Sequence, residues 1–259
     1  MNDLAAHDVT IQDHLRWLNK FDAELSCRYT SRLASEPESA VCEAILREVL
    51  CGRVASIEPA ENTNEGGLDF LCHQQEQKFY VECACLMRST VNRETSLADF
   101  CTGAQSYSHL TQEFRNAIRR KGTQPGKYPD TRRVLAIRAL HFSAGALCFD
   151  KNSAEMVLVE PQIAWHVNTR TGETIGDTFQ ITDLKKAAFL KPVTAGVAMP
   201  SPARQHASAV LLCGFGGVPR SICGILNCDA AVEFDPRLLP DIDFCRQFYD
   251  EMGTSVIWV

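Results

Sequence analysis

Gly66-Gly67-Leu68-Asp69-Phe70, followed after a polar interval by Phe79-Tyr80-Val81-Glu82-Cys83-Ala84-Cys85-Leu86, decides how this chain is read. The two apolar runs flank His73-Gln74-Gln75-Glu76-Gln77-Lys78, a pattern that predicts a β-hairpin. Twelve residues separate Asp69 from Glu82, so pairing of the strands brings both carboxylates to one end of the sheet. An acidic side chain inside an apolar strand is costly unless it is paired or binds a cation. Glu82 is therefore the residue to explain.

Outward from the hairpin, residues 4–34 read as helical, with Leu15, Leu18, Phe21 and Leu25 on one stripe. Ser35-Glu36-Pro37-Glu38 carries the marks of a helix start: a capping residue, a first-turn proline and an acid three places on. Val41, Ile45, Leu46, Val49 and Leu50 form the buried face of that second helix. Gly52 ends it, and Glu43 and Glu48 fall off the face. Strands are expected at 54–57, 68–72 and 79–86, a long helix at 97–121 and a doubly buried strand at 134–140. The loop at 122–129 is rich in Gly, Pro and Gln. Further on, short strands are expected at 156–159 and 163–167, a helix at 184–190, and a strand pair at 208–215 and 221–228.

The chain of 259 residues suits one mixed α/β domain, a β-sheet core flanked by helices. Its expected parts are a helical segment over 1–34, the α/β core over 35–145 and a β-rich C-terminal elaboration over 146–259. Hydrophobic residues at 45% and charged residues at 22% exclude a disordered or fibrous chain. No apolar run reaches the roughly 18 residues of a membrane span. The start, Met1-Asn2-Asp3-Leu4, lacks the charged-then-apolar pattern of a secretory signal, so a cytoplasmic location without a membrane partner is the expectation.

Twelve cysteines are scattered through apolar runs without a C-x2-C pair, which reads as reduced, structural cysteine. The net charge of −6 speaks against nucleic acid over the whole chain, yet residues 115–138 hold eight Lys/Arg against one acid. Arg115, Arg119, Arg120, Lys127, Arg132 and Arg133 are the candidate phosphate contacts in that segment. The plain alternative is a solvated helix end and loop.

Helix, β-meander, helix, strand, with Asp69 on one hairpin strand and Glu82 on the next, resembles the PD-(D/E)xK nuclease superfamily over about residues 35–140. The resemblance implies a restriction-endonuclease-like core that hydrolyses phosphodiesters with Mg²⁺ or Mn²⁺ and leaves a 5′ phosphate. Nucleic acid is the implied partner, DNA ahead of RNA, and a homodimer is compatible with it. By the same resemblance Asp69, Glu82 and the Cys83 carbonyl hold the metal, with Glu38 assisting from the helix. Such oxygen donors suit Mg²⁺, which keeps several waters.

Two positions depart from the pattern. Leu68 stands where proline is common, and Ala84 occupies the position of the lysine that polarises the attacking water. Lys121, with Gln124 three residues later, is the preferred replacement; Arg88 and Lys78 are others, and a surface lysine at a helix C-terminus is the plain reading of Lys121. Three readings follow from Ala84: a relocated cation, a site that binds without cutting, or likeness of fold alone. Alanine at Asp69 or Glu82 is expected to abolish divalent-dependent cleavage with folding intact.

Overall fold

The computed structural model describes residues 6–61, 67–95, 97, 99, 108–122, 130–147, 151–183, 187–191, 201–214, 221–250 and 253–259. Three helices come first: α1 (Asp8–Phe21), α2 (Ala23–Ser35) and α3 (Pro37–Cys51). The single helix expected over 4–34 is broken at Asp22, whose backbone is extended (φ −158°, ψ 128°). Its carboxylate accepts the Glu24 N–H at 2.9 Å and so caps α2, which is what a short acceptor side chain does best. The break leaves Leu18 and Leu25 buried but turns Phe21 outward, 49% exposed.

The start of α3 also differs from expectation. Ser35 closes α2, its hydroxyl donating to the Ser31 carbonyl at 3.2 Å, and Glu36 takes the cap position of α3 without a side-chain bond. Beyond its first turn α3 is buried nearly all round. Every residue from Ala40 to Leu50 except Glu48 is buried, because α1 and α2 cover the side turned away from the sheet.

The meander is β1 (Ser56–Pro59), β2 (Phe70–Gln74) and β3 (Gln77–Leu86), all antiparallel neighbours. Gln75 and Glu76 join β2 to β3 with positive φ at both positions (49° and 60°), the geometry of a two-residue turn whose twist matches the strands. After α4 (Arg88–Thr95) and α5 (Ser108–Gly122), β4 (Arg133–Ala139) pairs parallel to β3. The helix expected over 97–121 is thus present from Ser108, with Leu110, Phe114 and Ile118 as its buried stripe. Residues 100–107 lie outside the described residues.

The C-terminal part is less an appendage than half of the same sheet. β7 (Ala209–Gly214), β8 (Ser221–Leu226), β9 (Asp243–Asp250) and β10 (Gly253–Trp258) follow α6 (Phe142–Leu147), α7 (Lys151–Leu158) and a separate hairpin, β5 (Glu160–Val167) with β6 (Thr174–Asp183). The eight-stranded mixed sheet runs β1-β2-β3-β4-β7-β8-β9-β10, with β7 parallel to β4. The strand expected at 156–159 is instead the end of α7. Ala154, Val157 and Leu158 are buried at helical spacing, which a four-residue apolar run does not reveal. Of the helix expected at 184–190, residues 184–186 lie outside the described residues, and Ala187–Leu190 form a turn that ends in a bridge from Leu190 to Pro202.

Alternation along the central strands divides the core. Ala84, Leu86, Leu135, Ile137, Val210 and Leu212 face α5 and α7, whereas Phe79, Val81, Val134, Ala136 and Leu211 face α3 and the segment around Phe234 and Leu238. Gly224 shows how tightly the second layer is filled. A Cβ there would lie 2.2 Å from the Phe244 ring, so Gly224→Ala is expected to destabilise the fold by about 1–3 kcal/mol, read as a lower urea midpoint.

Candidate functional site

Glu82 points to the α5 side of the sheet, on the face of Ala84 and Leu86. It is almost fully buried, and both carboxylate oxygens meet a cation. Lys121 Nζ, at the C-terminal end of α5, lies 2.9 Å from Oε1. Arg133, at the start of β4, donates to Oε2 and also to the Lys121 carbonyl at 3.3 Å. Parallel pairing sets this up: Glu82 is opposite Leu135, so Arg133 is one diagonal step away on the same face. Lys121 is about one-third exposed and Arg133 is buried.

Asp69 lies one residue beyond the Phe70–Val81 pair, opposite Glu82. Its Oδ2 accepts the Cys83 N–H at 2.6 Å, and its own carbonyl accepts the Ala60 N–H at 3.1 Å. Burial, then the negative charges of Glu43 and Glu82, push the Asp69 carboxyl well above the usual range; the Cys83 N–H and the Arg32 guanidinium oppose them. Asp69 thus feels the charge of Glu82, but Glu43 and Arg32 act on it more strongly, and its carboxyl carries an electrostatic penalty.

Glu43 is the residue that helical spacing missed. A stripe reading assumes one wet face, and α3 has none at this level. Glu43 accepts from Arg32 at 2.5 Å and faces His14 Nε2 at 3.4 Å. Burial raises its carboxyl, but His14 and Arg32 outweigh this and hold it below the ordinary value. A sequence signal did exist: apolar residues run almost unbroken from Ala40 to Leu46, too many for a half-exposed helix.

Glu38 does not join the pair. It accepts the Arg88 N–H at 2.8 Å at the start of α4, beyond the end of β3, which lies four residues or about 13 Å of strand past Glu82. Arg88 itself pairs with Asp99 at 3.2 Å. Gln124 and Lys127 lie outside the described residues.

The basic segment is corrected in part. Arg115 is buried and donates to the Met156 carbonyl, Arg133 serves Glu82, and Arg138, fully buried, donates to the carbonyls of Val41 (3.2 Å) and Cys42 (3.1 Å). Arg132 donates from Nε to the Glu233 carbonyl at 3.0 Å. Of the candidate phosphate contacts, Arg120 is exposed and Arg119 and Arg132 are half-buried. Of the seven described Lys/Arg in this run, Arg115, Arg133 and Arg138 are internal scaffolding, because long guanidinium groups reach backbone carbonyls across helix–strand junctions.

Asp69, Glu82 and a backbone carbonyl are oxygen donors of the kind that suits Mg²⁺ or Mn²⁺ when waters complete the shell. A cation beside Asp69 would reverse the penalty that burial and the neighbouring carboxylates impose. It would share Glu82 with Lys121. Among the described residues no group of three or more His, Cys, Asp or Glu side chains is placed to hold a metal. Compared with family models, curated proteins and solved structures, the chain matches none. No helix among the described residues is long and apolar enough to cross a membrane.

Proposed function

We propose that the chain is a metal-dependent nuclease of the PD-(D/E)xK type in which the motif lysine has moved from β3 to α5. One observation carries this: Lys121 Nζ sits 2.9 Å from Glu82 Oε1, while Ala84, at the usual lysine position, is buried in the core. The order α3, β1, β2, β3, α5, β4, with Asp69 opposite Glu82, supports the same reading. Asp69 and Glu82 would hold Mg²⁺ or Mn²⁺, and the cation would stabilise phosphate charge and lower the pKa of a bound water. Lys121 orients the attacking water and keeps it hydrogen-bonded beside Glu82. Arg133 fixes the Glu82 carboxylate from the protein side. Arg120, exposed, and Arg119 and Arg132, half-buried, would meet the phosphates of a nucleic acid, DNA ahead of RNA.

Lys121→Ala is expected to lower kcat by about 100-fold or more, the usual worth of a positioned proton-handling group, with little change in KM. Lys121→Arg is expected to restore part of it. Cleavage of mixed DNA and RNA substrates with Mn²⁺ reads both; undiminished kcat in Lys121→Ala sinks the relocated-lysine reading.

Arg133 favours a second reading. Because it neutralises the remaining Glu82 oxygen without any metal, the site also suits a non-cleaving scaffold that binds nucleic acid. That protein would cut nothing under any divalent cation, and its binding would weaken steeply with salt.

A further inference from the structure

Cys42 on α3 and Cys85 on β3 lie with their sulfurs 3.1 Å apart, 43 residues apart in sequence, on the face of the sheet opposite Glu82. We infer that these two thiols are a redox couple that closes to a reversible intramolecular disulfide under hydroperoxide. Closing the pair to a bond of about 2.05 Å requires roughly 1 Å of approach. The helix side is held in place for it: Arg138 donates to the Val41 and Cys42 carbonyls and sets its positive charge beneath this turn of α3.

The electrostatics divide the roles. Burial pushes the Cys42 thiol up, but the hydrogen bond with Cys85 and the Arg138 guanidinium outweigh it and bring Cys42 below its usual value. Cys42 is thus the attacking sulfur and Cys85 the resolving one. Cys42 is fully buried while Cys85 is partly exposed, so a molecule as small as hydrogen peroxide enters from the Cys85 side.

The Cys42 thiolate attacks one peroxide oxygen. An S–O bond forms, the O–O bond breaks, and hydroxide leaves to take a proton as water. Cys85 sulfur then attacks Cys42 sulfur, the S–S bond forms, the S–O bond breaks, and hydroxide leaves with the Cys85 proton as a second water. Two thiols supply two electrons and one peroxide becomes two waters. Among the described residues no His, Asp, Glu or further Cys joins the pair in a metal-holding group, which separates this reading from a thiolate metal site.

The test is peptide mapping of the full-length protein after hydrogen peroxide treatment, with alkylation under non-reducing conditions. A Cys42–Cys85 linked peptide that disappears on dithiol reduction is the expected result. The oxidised protein should also unfold at a higher temperature than the reduced one, since the link restricts the unfolded chain. Cys83→Ser should keep the linkage, and Cys85→Ser should lose it along with the thermal shift. The unsubstituted protein decides the matter even if a variant folds poorly. Both thiols remaining alkylatable while exposed Cys27, Cys51 and Cys228 are oxidised overturns the inference, as does a link from Cys42 to Cys83 instead.

Discussion

Asp69→Asn is expected to stabilise the protein at neutral pH while abolishing divalent-dependent cleavage. The Asn side-chain oxygen still accepts the Cys83 N–H, so the hairpin keeps its bond. What disappears is a carboxyl whose folded pKa lies above its unfolded value, raised first by burial and then by Glu43 and Glu82. Below the unfolded value near 3.8 both states hold the proton and no penalty exists. As pH rises through the window between the unfolded and folded values, the unfolded chain releases its proton first, and the folded state loses stability. Above the folded value the penalty is complete. The gain from Asn should therefore be absent in acid, grow through that window and level off above it.

Its size is about 1.4 kcal/mol per unit of displacement, reduced by the partial solvent access of the site. Urea midpoints of both proteins at acidic and neutral pH measure it. Equal midpoints at neutral pH would show that Asp69 carries no penalty. A residue that costs stability and is indispensable for activity is the signature of a functional group.

Glu82→Ala should do the opposite and destabilise by about 3–5 kcal/mol, because it leaves the buried Arg133 guanidinium without its counter-charge. Against a total stability of roughly 5–15 kcal/mol this brings the fold close to its limit. The pairs with Arg133 and Lys121 thus revise the expectation that alanine here leaves folding intact. Replacing both partners, Glu82→Met with Arg133→Met, should recover most of the loss, since a well-packed apolar pair often equals or exceeds a buried ion pair. Denaturant unfolding of the two variants checks this. A cost below about 1 kcal/mol for Glu82→Ala would mean that Arg133 is solvated and that the pair behaves as a surface one.

The hairpin was legible in the sequence because strand alternation and a polar turn depend on neighbours in the chain. The parallel strand β4 was legible for a similar reason: apolar residues cover both of its faces. Other features depend on what packs from far away. Glu43 became buried only when α1 and α2 closed over α3, and Arg115, Arg133 and Arg138 left the surface only because carbonyls and a carboxylate from distant elements lay within their reach. The apolar run Met156–Val159 was equally compatible with strand and helix at four residues, and its partners in the core decided for α7. Cys42 and Cys85 read separately as small hydrophobes. Their contact exists only once α3 lies on β3.

Calorimetric titration of Mn²⁺ and Mg²⁺ into the wild-type protein and Asp69→Asn is the most direct test of the carboxylate site. Asp69→Asn serves better than a Glu82 variant because it is expected to remain folded. Saturable binding in the wild type that is lost in Asp69→Asn is the expected result. Equal heats in the two proteins, or no binding in the wild type, would contradict a metal site built on Asp69 and Glu82.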